Sequence, residues 1–280
     1  MPELPEVETM RRGVLGIVGA QVVKAERTPC PKKPIVISPR IDRLSKRLTG
    51  KKIEGVDRLG KRVVVGFDSG DRLIFEPRMT GLVLIADPPT TEHLRFCLHL
   101  RKCSIKKLLY WDRRGLGNVS LLSNKQYQAK LTDGKLGPDA LEVSLQEFPQ
   151  RFSKSRRDIK VAMLDQSAVL GIGNLYASEI LHLAGVHPQT RCDRISRKRW
   201  ALIHRHMLEV FELAIKYEGS TLSDGTYRNA LNNSGNYQNE HRVYDREEET
   251  CPSCKKSTII RIVQAQRATF FCKKCQTKRG

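Results

Sequence analysis

At 280 residues the chain can hold two or three domains with a buried core, and 50 Lys and Arg against 30 Asp and Glu leave a formal charge of +20. Solubility needs far less, so an extended polyanion is the expected partner, with ribosomal RNA, DNA and anionic lipid all compatible. The apolar stretch from Val14 to Val23 is too short for a bilayer and is diluted by Gly16, Gly19 and Ala20, so no membrane span is visible; no secretory signal is visible either, and an intracellular protein is expected.

The chain opens Met1-Pro2-Glu3-Leu4-Pro5-Glu6-Val7-Glu8. Leu4, Val7, Val14 and Ile17/Val18 fall roughly on one face of a helix predicted over 2–18, and Glu3 and Glu6, three apart, are neighbours on it. Proline and acidic residues suit a helix N-terminus on conformational and electrostatic grounds alone. A chemical reading stands beside that one. Removal of Met1 leaves a secondary amine, and an α-amino group titrates near ~8 against ~10.4 for lysine, so roughly a tenth of it is unprotonated at neutral pH. Attack by this amine on a sugar C1′ yields an iminium ion that is cationic without an added proton, which makes nucleophile and electron sink one group.

From about residue 52 to 122 short β-rich runs follow one another: Arg62–Phe67, Arg72–Glu76, Leu82–Ile85, Leu94–Leu100, Ile105–Trp111 and Val119–Leu122. Turn signals such as Asp68-Ser69-Gly70-Asp71 separate them, which predicts an antiparallel sandwich or barrel. After Leu136-Gly137-Pro138 the pattern turns helical. One helix is predicted over 174–184, closed by Gly185, and a longer one from Ser196 as N-cap to Tyr217, with Gly219 just past its end. Trp200, Ile203, Met207, Val210, Phe211 and Ala214 recur at core spacing along the second. Leu170-Gly171-Ile172-Gly173-Asn174 leads into the first; its glycines either let backbone approach a phosphate at a helix N-terminus or simply turn the chain. Residues 219–240, rich in Gly, Ser, Asn and Asp, read as a loop.

Cys251-Pro-Ser-Cys254 and Cys272-Lys-Lys-Cys275, seventeen residues apart, have the spacing of a closed four-cysteine zinc ribbon. Four thiolates leave no open position on the metal, so one structural Zn2+ is expected, folding the tail and doing no chemistry. From Cys251 to Gly280 there are eight basic residues and no acidic one, as suits a module lying on a phosphate backbone. Arg267 falls in a hairpin predicted over 259–271 and reads either as one more phosphate-facing arginine or as a functional group. Cys30, Cys97, Cys103 and Cys192 lack partners at a recognisable ligand spacing and read as reduced thiols.

Together these motifs resemble the formamidopyrimidine-DNA glycosylase and endonuclease VIII family over nearly the whole chain, from Pro2 to Gln276. The marks are the Pro2 to Glu8 start, Gly60-Lys61-Arg62, Arg78-Met79-Thr80-Gly81, Asp112 to Gly117, Leu136-Gly137-Pro138, Leu164-Asp165-Gln166, Gly171 to Glu179, Val243-Tyr244 and the zinc ribbon. The resemblance implies an α+β multidomain fold: an N-terminal catalytic helix and antiparallel β-sandwich over 1–135, a helix-two-turn-helix domain with a lesion-capping loop over 136–240, and a C-terminal four-cysteine zinc ribbon, the zinc finger, over 241–280. It implies double-stranded DNA carrying damaged bases or abasic sites as partner, no membrane, a monomer by default, and a cytoplasmic or nucleoid-associated location.

By the same resemblance Pro2 attacks C1′ and displaces the base, while Glu3 acts as acid at the ring oxygen. Lys61, otherwise a solvated charge before a strand, assists β-elimination and touches phosphate. Arg267 plays the matching part in δ-elimination. The target base must leave the stack first, and Met79, Arg114 and Leu116 fill the void, with Arg114 facing the orphaned base. Glu6, His93 and Asn174 match positions near the sugar or phosphates, although His93 alone reads as an ordinary surface histidine. Arg114-Gly115-Leu116-Gly117 departs from the family pattern of two arginines, phenylalanine and glycine; the wedge becomes leucine, and the alternative register Arg113-Arg114 would leave Gly115 there, unable to fill space. A family lysine aligns with Ser155, with Lys154 or Arg156 as substitutes, and Asp245 stands where glycine usually follows Val-Tyr. The activity implied is a bifunctional glycosylase and abasic-site lyase for oxidised purines (8-oxoguanine, formamidopyrimidines). The purine side rests on Met79, Arg114 and a capping loop over 223–238. An endonuclease VIII-like enzyme for oxidised pyrimidines and a non-catalytic zinc-ribbon binder of nucleic acid are the alternatives.

Overall fold

The computed structural model describes residues 1–133 and 136–278. Residues 135, 279 and 280, at the domain limits read from sequence, lie outside the described residues. The chain divides into two compact units, Met1–Gly134 with Ile215–Gln238, and Lys135–Ala214 with Asn239–Gly280.

The first unit begins with α1 (Leu4–Gly13), β1 (Gln21–Arg27), β2 (Val36–Ser38), α2 (Ile41–Leu48), β3 (Ile53–Leu59), β4 (Arg62–Phe67) and β5 (Arg72–Glu76). It continues with β6 (Gly81–Leu84), β7 (Leu94–Arg101), β8 (Lys107–Asp112), β9 (Asn118–Leu122) and the short α3 (Asn124–Tyr127). A four-stranded sheet has the order β1-β7-β8-β6 and a five-stranded sheet the order β2-β9-β5-β4-β3. All pairings are antiparallel except β2 on β9. Phe75 of the larger sheet meets Phe96 and Tyr110 of the smaller at ring separations of 5.8 and 5.6 Å, which puts the two sheets face to face over one core. Val7, Met10 and Val14 seat α1 on that core. The outer residues Val64, Ile74 and Leu122 of the larger sheet form a satellite cluster with Tyr127.

The helix predicted over 2–18 ends at Gly13; one 3-10 turn follows at Leu15–Ile17, and Val18 is exposed rather than on the buried face. Residues 219–238 carry little regular structure yet are tied down. Ile85 N–H bonds Ala230 O, Thr221 Oγ1 donates to Tyr227 O, and the Cα of Gly13 sits where a Cβ would come within 2.5 Å of Ala230 Cβ.

The second unit holds α4 (Glu147–Gln150), α5 (Ile159–Met163), α6 (Asn174–Leu183), most of α7 (Arg197–Lys216) and the hairpin β10 (Ile259–Gln264) and β11 (Arg267–Cys272). The apolar stripe of α7 is buried core: Trp200 stacks on Phe152 and Phe211 packs against Tyr176. Glu179 of α6, wholly buried, accepts bonds from the N–H groups of Arg242, Val243 and Tyr244 and so anchors the chain entering the cysteine module.

Candidate active site and metal centre

In the first unit Pro2 is buried immediately before the N-cap of α1. Glu3 and Glu6 form a reciprocal capping box, the Glu3 N–H donating to Glu6 Oε2 at 2.9 Å. The other oxygen, Oε1, accepts from Ser220 N–H at 2.9 Å, so Glu6 joins the N-terminus to the loop after α7. Gly219 is required there twice over: its φ is +79°, and a Cβ would come within 2.9 Å of Glu6 Oε1.

Further along α1, Glu8 binds Arg11, Arg12 and Arg58 at 2.8, 2.7 and 3.1 Å. Arg58 also donates to Gly60 O, and Gly60-Lys61 is the turn between β3 and β4; the carboxylate thus fixes the Lys61 hairpin against α1. Burial raises the Glu8 pKa, but the arginine hydrogen bonds and charges outweigh it and bring it from 4.5 to about 2. Its contribution is complete above about pH 4.5 and is lost as pH falls through about 2. Glu8→Gln should cost about 2 kcal/mol at pH 7, allowing for solvent screening, and much less near pH 2. Urea unfolding of both proteins at the two pH values checks this; equal loss at both would remove the ion cluster as the cause.

Met79, Arg114 and Leu116 come together on two neighbouring turns. Asp112, fully buried, accepts from Thr80 Oγ1 at 2.5 Å and Arg114 N–H at 3.2 Å through Oδ1, and from Gly117 N–H at 2.8 Å through Oδ2. Thr80 Oγ1 in turn accepts from Arg114 N–H at 2.9 Å. Met79 and the loop bearing Arg114 and Leu116 are therefore one assembly, with all three side chains exposed at its surface. Buried Arg95 adds bonds to Asp112 O and Lys33 O at 2.8 and 3.1 Å. His93 packs edge-on to Trp111 at 5.5 Å and pairs with Glu92 at 2.7 Å, while its buried Nδ1 has no partner among the described residues.

In the second unit Asn174 opens α6 behind Gly173, and Gln166 holds the preceding turn through Gly171 N–H and Ile172 O. Arg267 is exposed at the start of β11, after Ala265 and Gln266 with φ of 46° and 61°. Arg156 and Lys154 are exposed on the chain before α5. The four module cysteines lie with ligand sulfurs within 4.8 Å of one another, and the Cys251–Cys275 and Cys254–Cys272 sulfurs are each 3.7 Å apart. A tetrahedron of thiolates about 2.3 Å from zinc has edges of about 3.8 Å, so the donor set fits the ion. His182 of α6 pairs with Ser253 and Gln276, docking the module on the helical part of this unit.

Residues 1–119 match the formamidopyrimidine-DNA glycosylase N-terminal domain, and residues 136–226 the formamidopyrimidine-DNA glycosylase H2TH domain. A formamidopyrimidine-DNA glycosylase of Lactococcus lactis is 36% identical over 99% of this chain and 100% of its own length. The chain belongs to the formamidopyrimidine-DNA glycosylase family. A solved complex of Lactococcus lactis Fpg with DNA containing an abasic site superposes with a TM-score of 0.86 at 33% identity, covering 99% of this chain and 100% of that one. A solved MutM complex with DNA containing carbocyclic 8-oxo-G gives 0.86 at 33% identity, with coverage of 99% and 100%. The family fold expected from sequence, a β-sandwich domain, a helix-two-turn-helix domain and a four-cysteine cluster placed to coordinate a metal, is present.

Against that family pattern, Lys160 was not legible in the sequence. It is fully buried in α5, and its Nζ donates to Asn174 Oδ1, Ala268 O and Thr269 Oγ1 at 2.8, 2.9 and 2.7 Å. Asn174 Nδ2 also donates to Ala268 O, so one lysine clips the start of α6 to the residues just after Arg267. The signal was a lysine inside the apolar run Ile159 to Met163. Lys160→Met removes the lysine's bonds to Asn174 Oδ1 and Thr269 Oγ1 as well as its share of Ala268 O, and should cost about 3 kcal/mol. Unchanged stability in urea would mean the clip carries no weight.

Proposed function

We propose that this protein is a bifunctional DNA glycosylase and abasic-site lyase of base-excision repair that removes oxidised purines, 8-oxoguanine and formamidopyrimidines, from double-stranded DNA. The observation that carries the reading is the placing of Pro2 immediately ahead of the Glu3–Glu6 capping box in a chain of this family. Once Met1 is gone, the Pro2 nitrogen lone pair attacks C1′, the glycosidic pair leaves with the base, and the N–H proton of the nitrogen passes to the departing base. Glu3 delivers a proton to the ring oxygen, which takes the C1′–O pair as the sugar opens, and the iminium remains. Its pull on C2′ makes that proton removable, and the 3′ phosphate departs with its bonding pair. A second elimination expels the 5′ phosphate, leaving a one-nucleoside gap. Lys61 serves the first elimination and Arg267 the second.

Met79, Arg114 and Leu116 fill the helix once the lesion is everted, with the tied Asp112–Thr80 turns giving them a common base. Glu6, His93, Asn174 and Arg156 act at the sugar and phosphates. The domain limits follow the order read from sequence, 1–135, 136–240 and 241–280. Zn2+ in the four-cysteine cluster is structural. The relatives are bacterial, which together with a DNA substrate supports a location in the cytoplasm at the nucleoid.

Duplexes carrying 8-oxoguanine opposite cytosine and an oxidised pyrimidine, run side by side, test the lesion class. Purine excision at least tenfold faster is expected. Equal or faster pyrimidine release would move the enzyme to endonuclease VIII-like specificity.

A further inference from the structure

We propose that Glu26, Cys97 and His99 form a binding site for a divalent transition-metal ion, Zn2+ or a close substitute, on the outer face of the smaller sheet. Strand geometry builds it. Cys97 and His99, two apart on β7, project from the same face, and Glu26 of β1 pairs directly opposite Cys97. The three donor atoms lie within 4.8 Å of one another. Cys97 Sγ is 3.4 Å and Glu26 Oε1 2.6 Å from the same ring nitrogen, Nε2 of His99.

That convergence is the arrangement a shared cation would hold together. A relay uses both imidazole nitrogens, one toward each partner. Here sulfur and carboxylate both face one nitrogen, which holds at most one hydrogen. A cation satisfies all three lone pairs at once. Tetrahedral zinc sets sulfur and nitrogen about 3.5 Å apart, and nitrogen and oxygen about 3.4 Å apart. The first spacing is already met, and the second needs only a small swing of Glu26, which is 39% exposed. Water would complete the shell.

The surrounding charge decides which ligands are needed. Lys24 pairs across from His99 on one side and Lys107 on the other. Lys24 Nζ holds the second Glu26 oxygen, Oε2, at 2.6 Å, leaving Oε1 for the metal and orienting the carboxylate. Neutral ligands could not hold a cation between two lysines. Burial pushes the Cys97 thiol up to about 11, so the ion must displace its proton to solvent on binding; the resulting thiolate and the Glu26 carboxylate then supply two negative charges. The bound ion would pin β1 to β7, and neither Cys97 nor His99 belongs to the proposed catalytic set.

The test uses the full protein with zinc in its four-cysteine cluster, exposed to Co2+ in the presence of a phosphine reductant and then desalted. One additional cobalt per chain is expected, with zinc retained and a sulfur-to-cobalt charge-transfer band. His99→Asn should weaken cobalt binding at least tenfold. Cys97→Ser should abolish the charge-transfer band, and Glu26→Gln should weaken binding about tenfold while keeping that band. Because Cys97 is buried and its replacement can disturb folding, the partly exposed His99 supplies the deciding variant. No cobalt beyond what displaces zinc, or equal uptake by wild type and His99→Asn, overturns the site.

Discussion

Protein from which Met1 has been removed should leave a covalent adduct with a duplex carrying 8-oxoguanine opposite cytosine when borohydride is present, and protein that keeps Met1 should leave none. The difference is one of bonding. With Met1 attached, the Pro2 nitrogen belongs to a peptide bond and its lone pair is delocalised into the carbonyl. Released, it is a secondary amine of which roughly a tenth is free base at neutral pH. Loss of a covalent nucleophile typically costs several powers of ten, and base release should fall at least about 1,000-fold. Glu3 and Glu6 stay in place in either form, since their bonds to each other and to Ser220 do not involve Met1. Binding of a duplex with a non-cleavable abasic analogue should therefore change little, which separates chemistry from folding. Base release at full speed by the Met1-bearing protein would end the Pro2 mechanism.

Removal of zinc by a strong chelator, or Cys254→Ser, should collapse the cysteine module and lower DNA affinity at least about a hundredfold. Structural zinc contributes roughly 10–16 kcal/mol to the folding of small modules. The few buried side chains around Val243, Ile259 and Phe270 are too small a core to replace it. The damage spreads inward through Lys160. Two of its acceptors, Ala268 O and Thr269 Oγ1, belong to β11, and their displacement takes two hydrogen bonds from a buried lysine. Each hydrogen bond lost to a buried charged group costs about 1.5–3 kcal/mol, so the melting of the helical part should shift as well. Circular dichroism and a salt-dependent binding titration on metal-free protein check both effects. Tight binding without metal would show that the module does not hold the DNA.

What could be read in the sequence was what is decided locally. β4 and β5 are legible to the residue because the continuous, mostly β-branched and aromatic runs Val63-Val64-Val65 and Leu73-Ile74-Phe75 flank the Asp68 to Asp71 turn signal. The cysteine cluster was legible because both knuckles carry their own spacing. β1 and β3 were missed: each is interrupted by a bulge and exposes charged residues at several positions. α2 was missed because only Leu44 and Leu48 are buried in it. In the candidate site, Asn174 and the Met79, Arg114 and Leu116 turns were visible as motifs. The ties that make them rigid were not. Lys160 finds Ala268 108 residues away, and Glu6 finds Ser220 214 residues away, and neither spacing leaves a periodic trace.

The pinned loop after α7 has a practical side for engineering. Ser223, Asp224 and Gly225 are exposed, whereas Gly219, Ser220, Tyr227 and Asn229 are locked into the base of the segment by Glu6 and Glu218. A randomised library in this segment can vary the exposed tip freely. Spreading the same diversity to the stem would mostly return misfolded clones, because each stem change also disturbs the amino terminus.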